Sequence, residues 1–374
     1  MRALIDYRAA LRERSGAGEY THQLIRALAA LAHSTHDSWD ISIFSSSWKD
    51  RLRDFPEGVT AIDCRVPVRV LNFAWHRLGW PPVEQLLGRS FDIVHSGHPL
   101  LMPSTAAAQV VTIHDLHFLT HPERTRAEIR RDYPALARAH AHRADAIIVP
   151  SHFTARQVER QLDVPGERIA VCSPGAPDWS PRHGPPSPDQ GYILFLGTIE
   201  PRKNVDLLVE AYARLLQPRP ALPRLVLAGR ASHGSEKVLN RIAQPPLAGH
   251  VEHLGYVQPE KRQALYEGAV MLVLPSFEEG FGLPALEAMT VGIPVIVADA
   301  GALPEVVGDA GIIYESGDPE ALMTAMARIL DDEAFAAVCA ARGPLRAREF
   351  NWLRTAHTVA SAYEGALIAK REKR

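Results

Sequence analysis

The chain has 374 residues, 46% of them hydrophobic, and a formal net charge of −2. That length suggests two domains, with ample apolar content for two buried cores, and the near-neutral charge removes the global electrostatic reason to expect a nucleic acid. Three widely separated cysteines, Cys64, Cys172 and Cys339, offer neither a disulfide framework nor a zinc site, so a reducing cytoplasm fits. The N-terminal stretch MRALIDYRAALRERSG turns charged within a few residues and lacks the apolar core of a signal peptide. The least polar stretch, 291–314, is broken by Asp299, Glu305, Asp309 and two prolines, and no bilayer crossing is expected.

From the N-terminus, short β-branched runs alternate with helical stretches: RALID, DISIFS, FDIVHS, QVVTIHD, ADAIIVPS and RIAVCSPG. This pattern predicts a parallel sheet with crossover helices and ligands at the carboxyl ends of the strands. After the first strand, RSGAGEYTHQLIRAL places Ser15, Gly16 and Gly18 in a tight loop that opens a helix. It resembles half of a dinucleotide fingerprint. Thr21 at the third glycine position, and the lack of an acidic residue at the tip of the second strand, argue against a nicotinamide enzyme. A loop whose backbone approaches a phosphate or sugar is the functional reading, and a plain glycine turn is the alternative.

Further along, VVTIHDLHFLTHPE sets His114 and Asp115 at a strand end, followed by His117 and His121. No carboxylate frame supports a metal there; His114 is expected to reach an interdomain cleft and hydrogen-bond the substrate, or else to be a satisfied loop histidine. The segment 124–143 carries Arg124, Arg126, Arg130, Arg131, Arg138 and Arg143 against Glu128 and Asp132. Such a run is either a solvated helix face or a patch for an anionic membrane surface or a lipid-diphosphate acceptor.

The proline- and glycine-dense stretch 175–191 continues neither period and reads as a linker. A second series follows: YILFLG, RLVLAG, VEHLG, AVMLVLPS, IPVIVAD and GIIY. In GTIEPRKN, Arg202 and Lys203 fall just past a strand, where a bound anion would compensate them. In EEGFGLPALE (278–287), Gly280, Gly282 and Pro284 mark a strand-to-helix turn whose free N–H groups suit a phosphate. Glu279 is expected in that loop and Glu287 in the first turn of the helix, flanking a bound diphosphate; the alternative is that they only complement the helix dipole. The C-terminal FNWLRTAHTVASAYEGALIAKR reads as an amphipathic helix with Trp352, Val359 and Tyr363 among its apolar positions.

Taken together, SGAGEY, TIHDLHFLTHPE, VPSHFT, GTIEPRKN, LAGR, LGYV, PSFEEGFGLPALEAMTVGIPVI and GDAGIIYESGDPEAL resemble the retaining glycosyltransferase family four, of the GT-B fold, nearly end to end. The resemblance implies an α/β protein of two doubly wound Rossmann-like domains facing a central cleft. These would be an acceptor domain at 1–176, a linker at 177–190, a nucleotide-sugar-binding domain at 191–349, and a helix at 350–374 crossing back to the first domain. It further implies that Arg202 and Lys203 hold the donor diphosphate, Glu287 the ribose and Glu279 the sugar hydroxyls. Amides at Gly282 and Leu283 would touch the phosphate, Gly16 and Gly18 would line the donor cleft, and His114 would approach the transferred sugar. The base would be met near Arg230, Tyr256 and Val257. Glu279, His114, Arg202 and Lys203 form the implied catalytic set, with no metal and no cofactor beyond the nucleotide-diphosphate sugar. Ala17 departs from the bulkier aliphatic residue often found between the two glycines.

The HDLHFLTHPE stretch resembles the bacterial mannosyltransferase branch, implying GDP-mannose as donor and a glycan or lipid-linked acceptor in cell-surface polysaccharide synthesis. Loops such as 71–82, LNFAWHRLGWPP, would build the acceptor site, and the protein would be cytoplasmic with peripheral contact at the inner membrane face. Two alternatives stay open: a GT-B epimerase or phosphorylase, and a non-catalytic nucleotide-sugar-binding subunit.

Overall fold

A computed structural model describes all residues except 12, 13, 15, 35–38, 123–126, 187–189, 220 and 374; the side chains of 127–131 also lie outside the description. Ser15, Arg124 and Arg126, and the side chains of Arg130 and Arg131, therefore fall outside the described residues. The chain divides into two compact units, residues 1–175 with 351–374, and residues 176–350.

In the first unit, strands β1 (Arg2–Asp6), β2 (Asp40–Ser46), β3 (Thr60–Cys64), β4 (Ile93–Ser96), β5 (Ala108–Thr112), β6 (Ala146–Val149) and β7 (Ile169–Val171) form one sheet. Its order is β3-β2-β1-β4-β5-β6-β7, with every pair parallel. Strands β4, β5 and β6 are buried along their whole length; β6, AIIV, is apolar throughout, while the polar His95, Gln109 and Thr112 of the other two are hydrogen-bonded. β3 is different. It is a partly exposed edge strand whose sequence, TAIDC, has no strong apolar run, and the sequence reading passes over it.

The helix Ala17–Ser34 buries Leu24, Ile25, Leu28 and Leu31 at helical spacing. The C-terminal helix Trp352–Glu372 starts at Asn351, whose side chain accepts from the N–H groups of Leu353 and Arg354. Its Ala356, Val359, Tyr363 and Ala366 join the same core as the helix Ala17–Ser34 and strands β1, β2 and β4. A buried imidazole ties this helix to the sheet: His95 on β4 bonds Tyr363 Oη and Thr112 Oγ1, each at 2.7 Å.

The second unit has strands β8 (Tyr192–Leu196), β9 (Arg224–Ala228), β10 (Val251–Gly255), β11 (Ala269–Leu274), β12 (Val295–Ala298) and β13 (Ile312–Tyr314). They run parallel in the order β10-β9-β8-β11-β12-β13. The chain order reverses between β8 and β11, as it does between β1 and β4 in the first sheet. Loops leaving two such neighbours diverge to opposite faces and leave a crevice at the carboxyl ends.

The stretch read as a linker at 177–190 is partly absorbed into the second unit. Trp179 packs on Tyr266 with ring centroids 5.9 Å apart, Arg182 N–H donates to Val291 O, and the Arg182 guanidinium donates to Ala269 O. An aromatic ring and a guanidinium that find buried partners make a strap of what proline content alone presents as a spacer. No helix among the described residues is long and apolar enough to cross a membrane.

Burial lowers five histidines of the first unit: His22, His114 and His140 to about 4, and His76 and His95 to about 3. A histidine whose folded value lies below its unfolded value of 6.5 contributes its full stability above that value and loses it as pH falls toward the folded one. For the fully buried His95 the loss at pH 5 is about 2 kcal/mol. Melting temperature should therefore drop between pH 7 and pH 5 with net proton uptake on unfolding, and His95→Gln should flatten part of that slope. A melting temperature constant over this range would contradict the assignment.

Candidate active site

The second unit's crevice is built by the loops that follow β8 and β11. After β8, Pro201–Lys203 forms one turn of 3-10 helix, and Asn204, with φ of 52°, starts the helix Val205–Leu216. After β11, residues 275–282 lead into the helix Leu283–Val291, with Gly282 at φ of 104° as its N-cap and Pro284 in its first turn. The two loops are joined through their backbones, Phe277 N–H donating to Arg202 O at 3.0 Å.

That junction brings four charges together. Lys203 Nζ lies 2.5 Å from Glu279 Oε1, which also accepts from Ser276 Oγ at 2.7 Å. Arg202 lies 3.6 Å from Glu279 Oε2 and donates to Glu200 Oε1 at 3.0 Å. Burial pushes the Glu279 carboxyl up, but Lys203, Arg202 and the hydrogen bonds together outweigh it and hold the group below its ordinary value. Burial pulls the Lys203 ammonium down against the pull of Glu279. The two cations thus already stand against two carboxylates, Glu279 and Glu200. The sequence expectation of a compensating anion does not include these protein carboxylates.

The loop after β12 closes on the same place. Ala302 N–H donates to Glu279 O at 2.9 Å, and a Cβ at Gly301, which has φ of 63°, would lie 2.5 Å from both the backbone nitrogen and oxygen of Glu279. Only glycine allows that approach.

Glu287 requires a correction. It is the fifth residue of its helix, past the first turn, and it is buried. Its Oε2 accepts from Tyr266 Oη at 2.7 Å, and Oε1 lies 3.5 Å from Arg262 of the helix Pro259–Glu267. The sequence expectation stops one residue short because helix ends are read from glycine and proline alone; here Gly282 is the cap, so the first turn is Leu283–Leu286.

Loops after β8, β9 and β10 form the other flank. Ile199 N–H donates to Arg230 O at 2.8 Å and Gly229 N–H to Gly255 O at 2.7 Å, while the Arg230 guanidinium lies over the Tyr256 ring at 5.9 Å. Val257 packs against the second core. The arrangement thus gathers Arg202, Lys203, Glu279, Glu287, Gly282, Leu283, Arg230, Tyr256 and Val257 at the carboxyl edge of one sheet. It adds Glu200, Ser276, Arg262, Tyr266 and Gly301, which the sequence did not single out. Gly301 follows a strand, as Gly197 and Gly229 do, and that position was its one visible signal.

In the first unit, Gly16 has φ of 45° with open space around it, whereas a Cβ on Gly18 would lie 2.4 Å from Ala9 O. Gly18 is demanded by packing of its helix on the turn Arg8–Ala10, and only Gly16 retains the character of a loop built for close approach. His114 stacks edge-on against Tyr20 with centroids 5.2 Å apart and hydrogen-bonds the Gly97 backbone. Its Nε2 has no partner among the described residues. Burial keeps the ring neutral, so with one ring N–H donated to the Gly97 backbone, Nε2 is an acceptor fit for a hydroxyl.

Comparison with known proteins bears on the family and the fold. The family described as Glycosyl transferases group 1 matches residues 180–346, and Glycosyltransferase Family 4 matches residues 14–178. The chain is 32% identical over 284 residues to O-antigen chain mannosyltransferase B of Escherichia coli, covering 73% of this chain and 74% of that one. It is 30% identical over 277 residues to the serotype-specific mannosyltransferase WbdA of Escherichia coli, of whose length the match spans 34%. Among solved structures, a sucrose-phosphate synthase from Thermosynechococcus elongatus aligns with a TM-score of 0.79 at 21% identity, over 97% of this chain and 98% of that one. WaaG, a glycosyltransferase involved in lipopolysaccharide biosynthesis, aligns with a TM-score of 0.72 at 16% identity, over 96% and 99%. Two parallel-sheet Rossmann-like units and these matches lead to one conclusion: the chain belongs to glycosyltransferase family 4, with the GT-B fold.

Proposed function

We propose that this glycosyltransferase moves mannose from GDP-mannose to a glycan or lipid-linked acceptor in cell-surface polysaccharide synthesis, with retention of anomeric configuration. The observation that carries the donor site is the junction of the β8 and β11 loops, where Arg202, Lys203 and Glu279 meet at the switch point of the second sheet. The choice of mannose leans on the similarity to O-antigen chain mannosyltransferase B.

In this reading Arg202 and Lys203 face the diphosphate and stabilise the charge that grows on it as the glycosidic bond breaks, a preorganised electrostatic effect. The start of the helix Leu283–Val291 adds the partial positive charge of its first N–H groups. Glu279 fixes both cations and shares its carboxylate with a sugar hydroxyl. Glu287, oriented by Tyr266 and Arg262, accepts from the ribose. His114 Nε2 accepts from a hydroxyl of the transferred sugar. No carboxylate is assigned as a covalent nucleophile; the leaving diphosphate accepts the acceptor's proton on the same face.

A screen of donor hydrolysis across GDP- and UDP-sugars, followed by NMR of the product anomer, examines the reading. GDP-mannose should turn over fastest and the α-configuration should persist; preference for a UDP-sugar would remove the donor assignment, and an inverted product the mechanism.

The two glutamates should fail differently. Glu279→Gln strands the buried Lys203 without its charged partner and should lower turnover about a hundredfold, with a smaller change in donor KM. Glu287→Gln should raise donor KM and also lower the melting temperature. It removes the charge from a buried acceptor of Tyr266 and Arg262, an effect of about 1.5–3 kcal/mol. Wild-type kinetics in both variants would show that the site lies elsewhere.

A further inference from the structure

Residues 181–186 of the strap form one wall of a large apolar cavity, about 820 Å³ in volume, within the second unit. Its other walls fix its place. Pro223 immediately precedes β9, Val270 is the second residue of β11, and Pro294 immediately precedes β12. The cavity therefore sits at the amino-terminal edge of the sheet, whereas Arg202, Lys203 and Glu279 follow the carboxyl ends of its strands.

Small side chains are the reason for the hollow. The helix Glu333–Ala347 lines it with Ala336, Ala337, Ala340 and Ala341, a stripe along one side of the helix where only methyl groups project. That helix cannot sink inward to close the gap, because its backbone is already in contact. A Cβ on Gly343 would lie 3.0 Å from Met289 O, and one on Gly292, whose φ is 77°, 3.3 Å from Ala340 O. Walls of this kind offer water few hydrogen bonds, and an unfilled apolar space forfeits dispersion contacts. The volume falls within the roughly 300–1,000 Å³ of small-molecule sites.

Charge selects the chemistry of the occupant. Arg182, on the wall, is half-buried and donates through Nη1 to Ala269 O and Glu267 O. Among the described residues its Nε and Nη2 have no partner and no carboxylate pairs with it, and burial pulls the guanidinium below its ordinary value. The second arginine of the wall, Arg219, is already held by both oxygens of Asp331, at 2.7 and 2.6 Å. Nε and Nη2 of one guanidinium present parallel N–H groups, the fork that takes the two oxygens of a carboxylate. One unpaired cation matches one negative charge, and the exposed Asp331 and Glu333 on the cavity's rim oppose the greater charge of a phosphate monoester.

We infer that this cavity is a binding site for an aliphatic carboxylate, with the chain against the alanine stripe and the head group on Arg182. The site is separate from the donor crevice and stands independently of which sugar is transferred.

Calorimetric titration of dodecanoate into the full chain, below the concentration at which it forms micelles, tests the inference. One molecule should bind per chain and acetate should not bind. Dodecyltrimethylammonium, with the same chain and the opposite charge, should bind at least about tenfold more weakly. Arg182→Met removes the fork, and Ala337→Trp fills the cavity from an exposed position; each should weaken dodecanoate binding about tenfold or more. Saturating dodecanoate should raise the melting temperature of the wild type and leave that of Ala337→Trp where it is. Donor hydrolysis should be unchanged in both variants, because neither side chain belongs to the donor site. Should Arg182→Met fail to fold, Ala337→Trp decides alone. Absence of wild-type binding, uptake of many molecules per chain, equal binding of the cationic amphiphile, or wild-type affinity in Ala337→Trp would each overturn the inference.

Discussion

A buried ion pair between Lys203 and Glu279 is the interaction on which the rest of the candidate site depends. Placing either charge alone in that position is costly; together, with Ser276 donating to the same carboxylate oxygen and Arg202 3.6 Å from the other, they form a fixed electrostatic centre. The pair also locks two loops that leave neighbouring strands in opposite directions. Its geometry is in turn fixed by the backbone contact of Phe277 with Arg202 and by the close approach of Gly301 to Glu279. The diphosphate binding proposed for this place would be an exchange of anions around cations already in place, because Glu200 and Glu279 stand against Arg202 and Lys203 before any ligand arrives.

The first unit holds its polar groups differently. Its buried imidazoles are kept neutral and used as hydrogen-bonding links. His95 joins β4, β5 and the C-terminal helix, and His22 lies between Tyr7 Oη and Arg14 at 2.6 and 2.8 Å. The buried Asp6 carboxylate is paired with Arg8, which also donates to Asn72 Oδ1. Neutral imidazoles impose geometry without a net charge, at the cost of sensitivity to acid. The second unit instead concentrates paired charges in the crevice where an anionic ligand is proposed to bind.

Much of this was legible in the sequence, for physical reasons that can be named. Strands buried on both faces are mostly apolar, so AIIV and AVMLVL declare themselves, and the glycines and proline of EEGFGLPALE mark a strand-to-helix turn. The edge strand TAIDC escaped because one exposed side permits polar residues. What sequence could not reveal is pairing between distant segments. Nothing in PEKRQALYEG says that Arg262 and Tyr266 meet Glu287, and nothing in GTIEPRKN says that Glu200 will turn back on Arg202. The glycines divide in the same way: Gly16 and Gly18 look alike on paper, but one is required by backbone conformation and the other by the carbonyl of Ala9.

The central claim is that the Arg202, Lys203, Glu200 and Glu279 cluster is the diphosphate site, and calorimetric titration of GDP into the wild type, Lys203→Met and Glu200→Gln addresses it most directly. Loss of a charge-assisted contact predicts that Lys203→Met weakens GDP binding about tenfold or more, and removal of a competing anion predicts that Glu200→Gln tightens it. Identical affinities for all three proteins, with melting temperatures showing each to be folded, would contradict the account.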